Sequence, residues 1–240
     1  MRFNSKHLIF IYFIPNFLSW IMLKSFSRLN SSIGLFNSYK STFWIKGEEN
    51  KLFNKSVIGH SSIRIYGKEN KVQIGKGELS KSNIRISGNS NTLLIEDNEK
   101  ICNLNLHIRG VNNLVKIGKG TSIGGAKIIN VGITNSITIG ESCMLSDNIE
   151  IWASDSHPIY NQVTGEIINP EQSISIGDKV WIGAHVKILK GTIIGNDSVI
   201  ALGTILKGWV PNNVVYGGNP NKVIKEHVFW EKMYMNQILH

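Results

Sequence analysis

Residues 176–211 read IGDKVW, IGAHVK, ILKGTI, IGNDSV, IALGTI and LKGWVP, six hexads in one unbroken phase. Each hexad opens on an aliphatic residue, and a small or β-branched residue follows four positions later. A strand-and-turn unit of six residues cannot enclose a core alone, so such units must stack, and three of them complete one triangular coil. The stretch therefore predicts a parallel β-helix whose axis is filled by the aliphatic positions 176, 182, 188, 194, 200 and 206.

Glycines follow the aliphatic position in three of these hexads, at Gly177, Gly183 and Gly195. The chain turns a corner of the triangle at this place, and glycine suits a corner that has no room for a side chain. The glycines therefore mark corners of the predicted coil.

A longer repeat precedes the hexads. Alternating Ile-x-Ile pieces joined by glycine and asparagine read as short strands and turns. Asparagines recur at intervals of 20, 21, 22 and 22 residues, at Asn50, Asn70, Asn91, Asn113 and Asn135. The pattern predicts stacked coils of that length with an asparagine column at one corner. Two explanations of the column stay open: side chains that hydrogen-bond up and down the stack, or asparagine tolerated in left-handed turns.

Composition is consistent with one solenoid, which we place at residues 31–220 of the 240-residue chain. The cysteines, Cys102 and Cys143, fall inside predicted coils, so we expect buried free thiols and no disulfide framework. Lys and Arg outnumber Asp and Glu by 26 to 17, a net charge of +9, which favours an anionic partner. The basic residues are scattered and no groove-reading module is visible, so no nucleic acid partner is expected.

Both ends of the chain read as appendages. Residues 1–30 are hydrophobic with basic flanks and predict a helix, but the apolar run 8–23 is short of the ~20 residues a bilayer span needs. Three interpretations stay open: an interfacial helix on the inner membrane leaflet, a helix packed on its own trimer, or a true signal or span. We expect a cytoplasmic protein that can be peripheral on the cytoplasmic membrane. Residues 221–240 carry apolar positions at near-helical spacing and predict a helix covering the top of the solenoid.

The hexad phase breaks at residues 155–173, which carry two prolines and a glycine and fit no repeat. We expect a loop that leaves the solenoid, and loops of this length in compact folds are usually functional. His157 lies at its root, 22 residues after Asn135, and is expected to occupy the corner that asparagine holds below. This placement makes His157 the candidate general base.

The same residues carry a family resemblance. Residues 117–224 resemble the hexapeptide-repeat acyltransferases, left-handed parallel β-helix enzymes that use acyl-CoA. Within that family, the segment 154–158 (SDSHP) followed by 180–183 (VWIG) resembles the sugar O-acetyltransferase branch and its capsular polysialic acid type. The resemblance implies an all-β left-handed β-helix, a homotrimer with active sites between subunits, and a catalytic pair formed by His157 and Trp181.

The resemblance also implies where acetyl-CoA binds. The ending 217–224 (GGNPNKVI) is similar to the Gly-Asn-Pro closing motif of the family, beside which CoA binds. The candidate cofactor-binding residues are Gly183, Ala201, Gly203, Asn219, Lys222 and Lys225. The two lysines suit CoA phosphates, and their alternative role is an ordinary basic helix start. Leu202 and Asn221 depart from the small residues that relatives place there.

The expected reaction follows from the groups. A sugar hydroxyl is a poor nucleophile, and a neutral imidazole at His157 can take its proton as the oxygen attacks the thioester carbonyl. Asp155 is a candidate for orienting the imidazole, and Trp181 is either part of the site or an outer aromatic cap. We expect an acetyl-CoA-dependent O-acetyltransferase acting on a capsular or lipopolysaccharide sugar of a bacterial surface, with an anionic saccharide acceptor.

Three other functions are alternatives to this one. An N-acyltransferase acting on an amino-sugar nucleotide has a similar loop and base placement. A non-catalytic β-helix scaffold explains the repeats but not a His-Pro loop. A metal hydratase needs three converging histidines, and the spacing of the histidines provides no such set, so no metal site is predicted.

Overall fold

The computed structural model describes residues 21–25, 31–33 and 37–232. The described chain forms a left-handed parallel β-solenoid, as the repeats and the resemblance predict. Each coil contributes one strand to each of three faces, which we call sheets A, B and C. No α-helix forms within these ranges, and they contain no helix long and apolar enough to cross a membrane.

The strands run in register from the lower coils to the upper coils within each sheet. Sheet A contains, in spatial order, β1 (Ile21–Ser25), β4 (Ser41–Glu48), β7 (Ser62–Lys68), β10 (Asn83–Asn89), β13 (Leu104–Val111), β16 (Ala126–Ile133), β19 (Ile149–Trp152), β22 (Lys187–Leu189) and β25 (Ile205–Leu206). Sheet B contains β2 (Ser31–Ile33), β5 (Lys51–Asn54), β8 (Lys71–Ile74), β11 (Thr92–Ile95), β14 (Leu114–Ile117), β17 (Ser136–Ile139), β20 (Ile174–Ile176), β23 (Ile193–Ile194) and β26 (Trp209–Val210). Sheet C contains β3 (Ser38–Tyr39), β6 (Val57–Gly59), β9 (Glu78–Ser80), β12 (Lys100–Cys102), β15 (Ser122–Ile123), β18 (Met144–Leu145), β21 (Trp181–Ile182), β24 (Val199–Ile200), β27 (Val215–Gly218) and β28 (Asn221–Lys225).

The upper coils follow the hexads. All six aliphatic positions from 176 to 206 are buried, with at most 2% of their surface exposed, as are the six small or β-branched positions from 180 to 210. A Cβ added to Gly177 would lie 2.2 Å from the side-chain oxygen of Asn196 in the next coil, so the corner has no room for it. The hexad phase therefore predicted both the core and its corners.

The lower coils are longer, and the extra residues lie in sheet A. Leu106 pairs with Ile128, 22 residues on, whereas Ile188 pairs with Leu206, 18 residues on. The strands of sheet A are seven or eight residues long from β4 to β16 but only two or three in β22 and β25. At ~3.3 Å per residue, the lower part of sheet A is more than 10 Å wider than the upper part.

The asparagine column exists and is bonded through its side chains. The Asn70 amide donates to Oδ1 of Asn50 (2.9 Å), Asn91 to Asn70 (3.0 Å), and Asn113 to Asn91 (3.1 Å). The same Oδ1 atoms accept the backbone N–H of the asparagine above. Of the two explanations left open by the sequence, the hydrogen-bonded column is therefore the one that the structure shows.

The C-terminal helix predicted over 221–240 is wrong in its described part. Residues 221–225 form β28, which folds back antiparallel onto β27 at the end of sheet C. Residues 226–232 then run down the outside of the solenoid without helical structure. An exposed strand edge satisfies its backbone most directly by pairing, and this pairing overrides the helical spacing of the apolar residues. The rest of the predicted helix, 233–240, lies outside the described residues.

The structure describes only residues 21–25 of the predicted N-terminal helix. Residues 21–25 form β1, paired in parallel with β4, so a helix does not extend through this part of 1–30. The pairing satisfies the edge of β4, which a helix cannot do. Residues 1–20 and 26–30 lie outside the described residues. Both cysteines are free, as predicted, and Cys143 is buried, whereas Cys102 is only half-buried.

Candidate active site

The predicted loop leaves the solenoid between sheets A and B, after β19 and before β20. It folds into a small hairpin with an antiparallel bridge between Tyr160 and Ile167. His157 lies at the root of this hairpin and is exposed. Within the described part of the chain its imidazole has no hydrogen-bond partner, so both ring nitrogens are available to a substrate.

The 22-residue spacing predicted that His157 occupies the asparagine corner, and this prediction is wrong. Ile137 pairs with Ile174, which places Ser173 above Ser136 at the end of the asparagine column. The Ser173 hydroxyl donates to Oδ1 of Asn135 at 3.2 Å. The spacing argument failed because the loop is inserted before the corner is completed. His157 is therefore displaced outward from the column, at the base of the hairpin.

A largely buried lysine side chain fastens the root of the hairpin to the coil above. Lys190 Nζ donates to Oδ2 of Asp155 (2.5 Å) and to the backbone carbonyl of Asn169 (2.8 Å). Only 11% of the Lys190 side chain is exposed. The Asn169 amide in turn donates to Asp155 Oδ2 and to the carbonyl of His157, both at 2.9 Å. Asn169 Oδ1 also accepts from the Ile159 N–H at 2.6 Å, so the two strands of the hairpin are joined on either side of His157.

These bonds also set the ionisation of Asp155. The hydrogen bonds from Lys190 and then Asn169 lower the pKa of the Asp155 carboxyl below its ordinary value of 3.8. The carboxylate is therefore ionised at neutral pH. Its partners are on the loop and on the next coil, so the geometry gives Asp155 a role in holding the backbone of His157, whereas the sequence suggested contact with the ring.

Trp181 lies on β21 in sheet C, with 38% of its surface exposed. The ring of Trp230, from the C-terminal segment, lies 6.0 Å from it, tilted by 48°. The Trp230 indole N–H donates to the carbonyl of Lys179 at 2.6 Å, which holds this second ring in place. The two indoles form a continuous aromatic surface on sheet C.

The predicted catalytic pair is not assembled within one chain. His157 projects from the corner between sheets A and B, whereas Trp181 lies on sheet C. A site containing both side chains therefore requires two copies of the chain.

The predicted cofactor-binding residues gather at the upper end of sheet C. A Cβ on Gly183 would lie 2.8 Å from the backbone nitrogen of Leu202, so this corner is packed against the next coil. Gly203 has a φ of +73° and open space around it, and Leu202 beside it is 72% exposed. Ala201 pairs through its N–H with the carbonyl of Tyr216, next to the closing motif.

The remaining cofactor candidates lie on the closing hairpin. Asn219 occupies the turn between β27 and β28, and Lys222 and Lys225 are exposed on β28. Asn221, which departs from the family motif, donates to the carbonyl of Ile205 and accepts from the Tyr216 hydroxyl (3.1 Å). This departure therefore ties the hairpin to the coil below it.

The fold agrees with comparisons to known proteins. Residues 173–208 match the family model for the bacterial transferase hexapeptide (six repeats). The chain is 36% identical to a polysialic acid O-acetyltransferase of Neisseria meningitidis over an alignment of 182 residues. This alignment covers 75% of this chain and 84% of that protein. The chain belongs to the hexapeptide-repeat acetyltransferases.

Two solved acetyltransferases share most of the fold. The polysialic acid O-acetyltransferase OatWY is 31% identical, with a TM-score of 0.69 over 87% of this chain and 94% of that one. The polySia-specific acetyltransferase NeuO is 26% identical, with a TM-score of 0.64 over 86% and 89%. This hexapeptide-repeat protein is therefore an acyltransferase, and its family uses acetyl-CoA as the acetyl donor.

Sequence reasoning missed three residues that shape this site: Asn169, Lys190 and Trp230. Lys190 occupies the third position of its hexad, where the six hexads carry six different residues, so the repeat does not single it out. The long-range contacts of Asn169 and Trp230 leave no mark in the sequence pattern.

Proposed function

We propose that this hexapeptide-repeat protein is an acetyl-CoA-dependent O-acetyltransferase that modifies a hydroxyl of an acidic cell-surface saccharide, with His157 as the general base. The observation that carries the proposal is an exposed, unpartnered imidazole at the root of a hairpin that is fastened on both sides. Relatives named as polysialic acid O-acetyltransferases support the acceptor class. The net charge of +9 favours an anionic saccharide.

The reaction has two proton transfers. The His157 imidazole takes the proton of the sugar hydroxyl as that oxygen forms a bond to the thioester carbonyl carbon, giving a tetrahedral oxyanion. Backbone N–H groups at a solenoid corner or an indole N–H are suitable donors to this oxyanion. When the intermediate collapses, the carbon–sulfur bond breaks and the imidazolium returns the proton to the departing thiolate. The products are the sugar acetate ester and free CoA.

We place the complete site between two subunits of a homotrimer. His157 and Trp181 lie on different faces of one chain, so the pair requires the His157 hairpin of one subunit to face sheet C of its neighbour. The hairpin carries a set of exposed apolar residues, which a subunit contact would cover: Ile159, Tyr160, Val163, Ile167 and Ile168.

The donor is assigned to the upper end of sheet C. Open space at Gly203 leaves room for the pantetheine arm, and Lys222 and Lys225 supply charge for the phosphates of CoA. Asn219 and the narrow corner at Gly183 line the same end. Leu202 is the apolar surface at this position.

The proposal is tested by product analysis. The full-length protein is incubated with acetyl-CoA and either polysialic acid, a neutral polysaccharide or an amino-sugar nucleotide, and thiol release is followed. We expect release with polysialic acid and an acetyl group that alkaline hydroxylamine removes, as an ester requires. A hydroxylamine-stable amide formed on the amino-sugar nucleotide would instead establish the N-acyltransferase alternative.

We also propose that the protein is cytoplasmic and that its N-terminal segment places it on the inner leaflet. The apolar run 8–23 with basic flanks suits an anionic membrane surface. Because β1 is part of sheet A, the informative deletion is residues 1–20, which leaves that strand intact. The deleted protein should keep its activity and stop sedimenting with phosphatidylserine vesicles. Unchanged sedimentation would contradict this role.

A further inference from the structure

The wide lower part of sheet A carries a group of cations on its outer surface that carboxylates do not balance. We call this surface the basic face and define it by Lys46, Arg64, Arg85, Arg109 and Lys127. These residues point outward from five successive strands, β4 to β16. None of them forms an ion pair with a carboxylate among the described residues.

Carboxylates near this face are already neutralised. Glu48, at the end of β4, pairs with Lys68 at 2.8 Å. Glu150, on β19, pairs with Lys187 at 3.2 Å and also accepts from the Trp152 indole. Lys127 is the register neighbour of Glu150, so the charge available for an external anion rests mainly on Lys46, Arg64, Arg85 and Arg109.

Among the described residues, the other two faces carry no comparable group of unpaired cations. On sheet C, Glu78 and Lys100 are register neighbours of opposite charge. On sheet B, Lys116 pairs with Glu96 at 3.1 Å. Lys51 and Lys71, which are register neighbours, are then the lysines of this sheet that form no ion pair among the described residues. The positive charge is therefore concentrated on the face that the long coils widen.

Aromatic rings lie among the cations. The Arg85 guanidinium is 5.5 Å from the centroid of Tyr66, and Lys127 Nζ is 4.5 Å from that of Trp152. Such contacts orient the cations, and ring faces also pack against the C–H faces of sugars. Burial, followed by Arg85 and Arg109, lowers the pKa of His107 in the middle of this face, so the charge rests on arginine and lysine.

The face leads to the catalytic loop. Adjacent strands are ~4.8 Å apart, so the cations from β4 to β16 span roughly 19 Å along the solenoid axis. β19 comes next in the sheet and ends at Trp152, five residues before His157. A chain lying along the basic face would therefore arrive at the root of the hairpin.

We propose that the basic face is a binding track for an extended acidic polysaccharide, which it delivers to His157. The proposal rests on the proposed function and deepens it, since it assigns the lower coils to recognition of a polymer. A repeating anion can engage several cations at once, so affinity should grow with chain length until the track is filled.

The test compares two charge-matched double variants. R64Q/R85Q removes two register neighbours from the basic face, and K51Q/K71Q removes two register neighbours from sheet B. The probe is polysialic acid of graded length, assayed at two salt concentrations. Exposed ion pairs are individually weak, so we expect R64Q/R85Q to raise the KM for the long polymer roughly three- to thirtyfold. Its KM for acetyl-CoA and its turnover of a short fragment should stay unchanged.

The outcomes separate the two proposals. Equal effects of the two variants, or an effect that does not depend on polymer length, would overturn the track. Direct sedimentation of the long polymer with the wild-type protein and R64Q/R85Q gives a readout that needs no turnover. Polymer binding that R64Q/R85Q weakens, without any acetyl transfer, would support the track and contradict the proposed reaction. Binding of RNA but not of the acidic polysaccharide would overturn the track.

Discussion

The lower coils and the upper coils have the same triangular cross-section, but their corners are built differently. The lower coils use about 22 residues, turn from sheet A to sheet B through a glycine with φ above +100°, and stack buried asparagines beside it. The upper coils use 18 residues and three plain hexads. The core is aliphatic in both. The difference therefore lies in what the corners and faces can carry: the lower coils gain a wide charged sheet, and the upper coils gain compact corners with open glycines.

The largest expected effect is a loss of stability when a corner glycine of the lower coils is replaced, compared with a corner glycine of the upper coils. In the lower coils, a Cβ on Gly110 would lie 1.9 Å from the backbone oxygen of Gly132, at a φ of +126°. In the upper coils, Gly203 has a φ of +73° and nothing within 4 Å. Gly110→Ala should cost more than about 4 kcal/mol of unfolding free energy, and Gly203→Ala about 1–2 kcal/mol. Thermal unfolding measures both, and similar losses would show that the corners are not distinct.

The next effect concerns chemistry in the upper coils. His157→Asn should reduce kcat by ~10²–10⁴-fold, because asparagine cannot take the hydroxyl proton. The unfolding temperature should stay the same, since the imidazole is exposed and unpartnered among the described residues. His185→Asn is the matched control, as His185 is also exposed, at the corner between sheets C and A. Comparable loss in both variants would argue against His157 as the base.

The asparagine column gives a stability effect confined to the lower coils. Asn91→Ala removes side-chain bonds to Asn70, Gly110 and Asn113, leaving buried polar groups without partners. We expect a loss of about 2–4 kcal/mol in unfolding free energy, at ~1–3 kcal/mol for each unsatisfied group. Activity at low temperature should be retained. Asn105→Ala, on the exposed side of sheet A, is the control and should change stability by less than about 0.5 kcal/mol.

A smaller effect is expected where an upper coil holds the hairpin. Lys190→Met removes the bonds to Asp155 and Asn169 and should lower kcat roughly tenfold, within the range that small displacements of a catalytic group produce. The KM for acetyl-CoA should not change. A structural role alone would instead lower the unfolding temperature without changing the kcat of the folded enzyme.

The same link predicts how pH acts on the hairpin. The pKa of the Asp155 carboxyl is lowered in the folded protein. The stability that the ionised carboxylate gives to the folded hairpin is therefore complete above the ordinary pKa of 3.8, and it is lost only as pH falls through the lower folded pKa. Between pH 5 and 8 the ratio of wild-type to Lys190→Met kcat should therefore be constant. A ratio that changes across this window would contradict the assigned ionisation.

Much of this fold could be read from the residues, because a repeat constrains every coil in the same way. The hexad phase predicted the buried positions from 176 to 206, and the asparagine intervals predicted the column. Prediction failed where one coil departs from its neighbours. The position of His157 depended on where an insertion enters the coil, and the fate of residues 221–225 depended on an open strand edge that local spacing does not reveal.

The site was predictable as a set of residue types but not as a set of contacts. His157 and Trp181 were both found from local motifs, and their roles remain predictions. The anchoring of the hairpin by Lys190 joins residues 35 positions apart, and no pattern within a single hexad encodes it. Residue pairs of that kind depend on stacking and become visible only when the coils are in place.

The descending C-terminal segment has a consequence for how the solenoid comes apart. In a solenoid each coil contacts only the adjacent coils, so coils tend to unfold one at a time from an end. Here the Val228 N–H bonds the carbonyl of Asn213, Trp230 bonds Lys179, and Lys232 pairs with Glu99. The first attachment lies within the last coil, and the other two join the C-terminal segment to lower coils. We therefore expect the upper coils to open together, and we expect the Trp230 ring to leave Trp181 when they do.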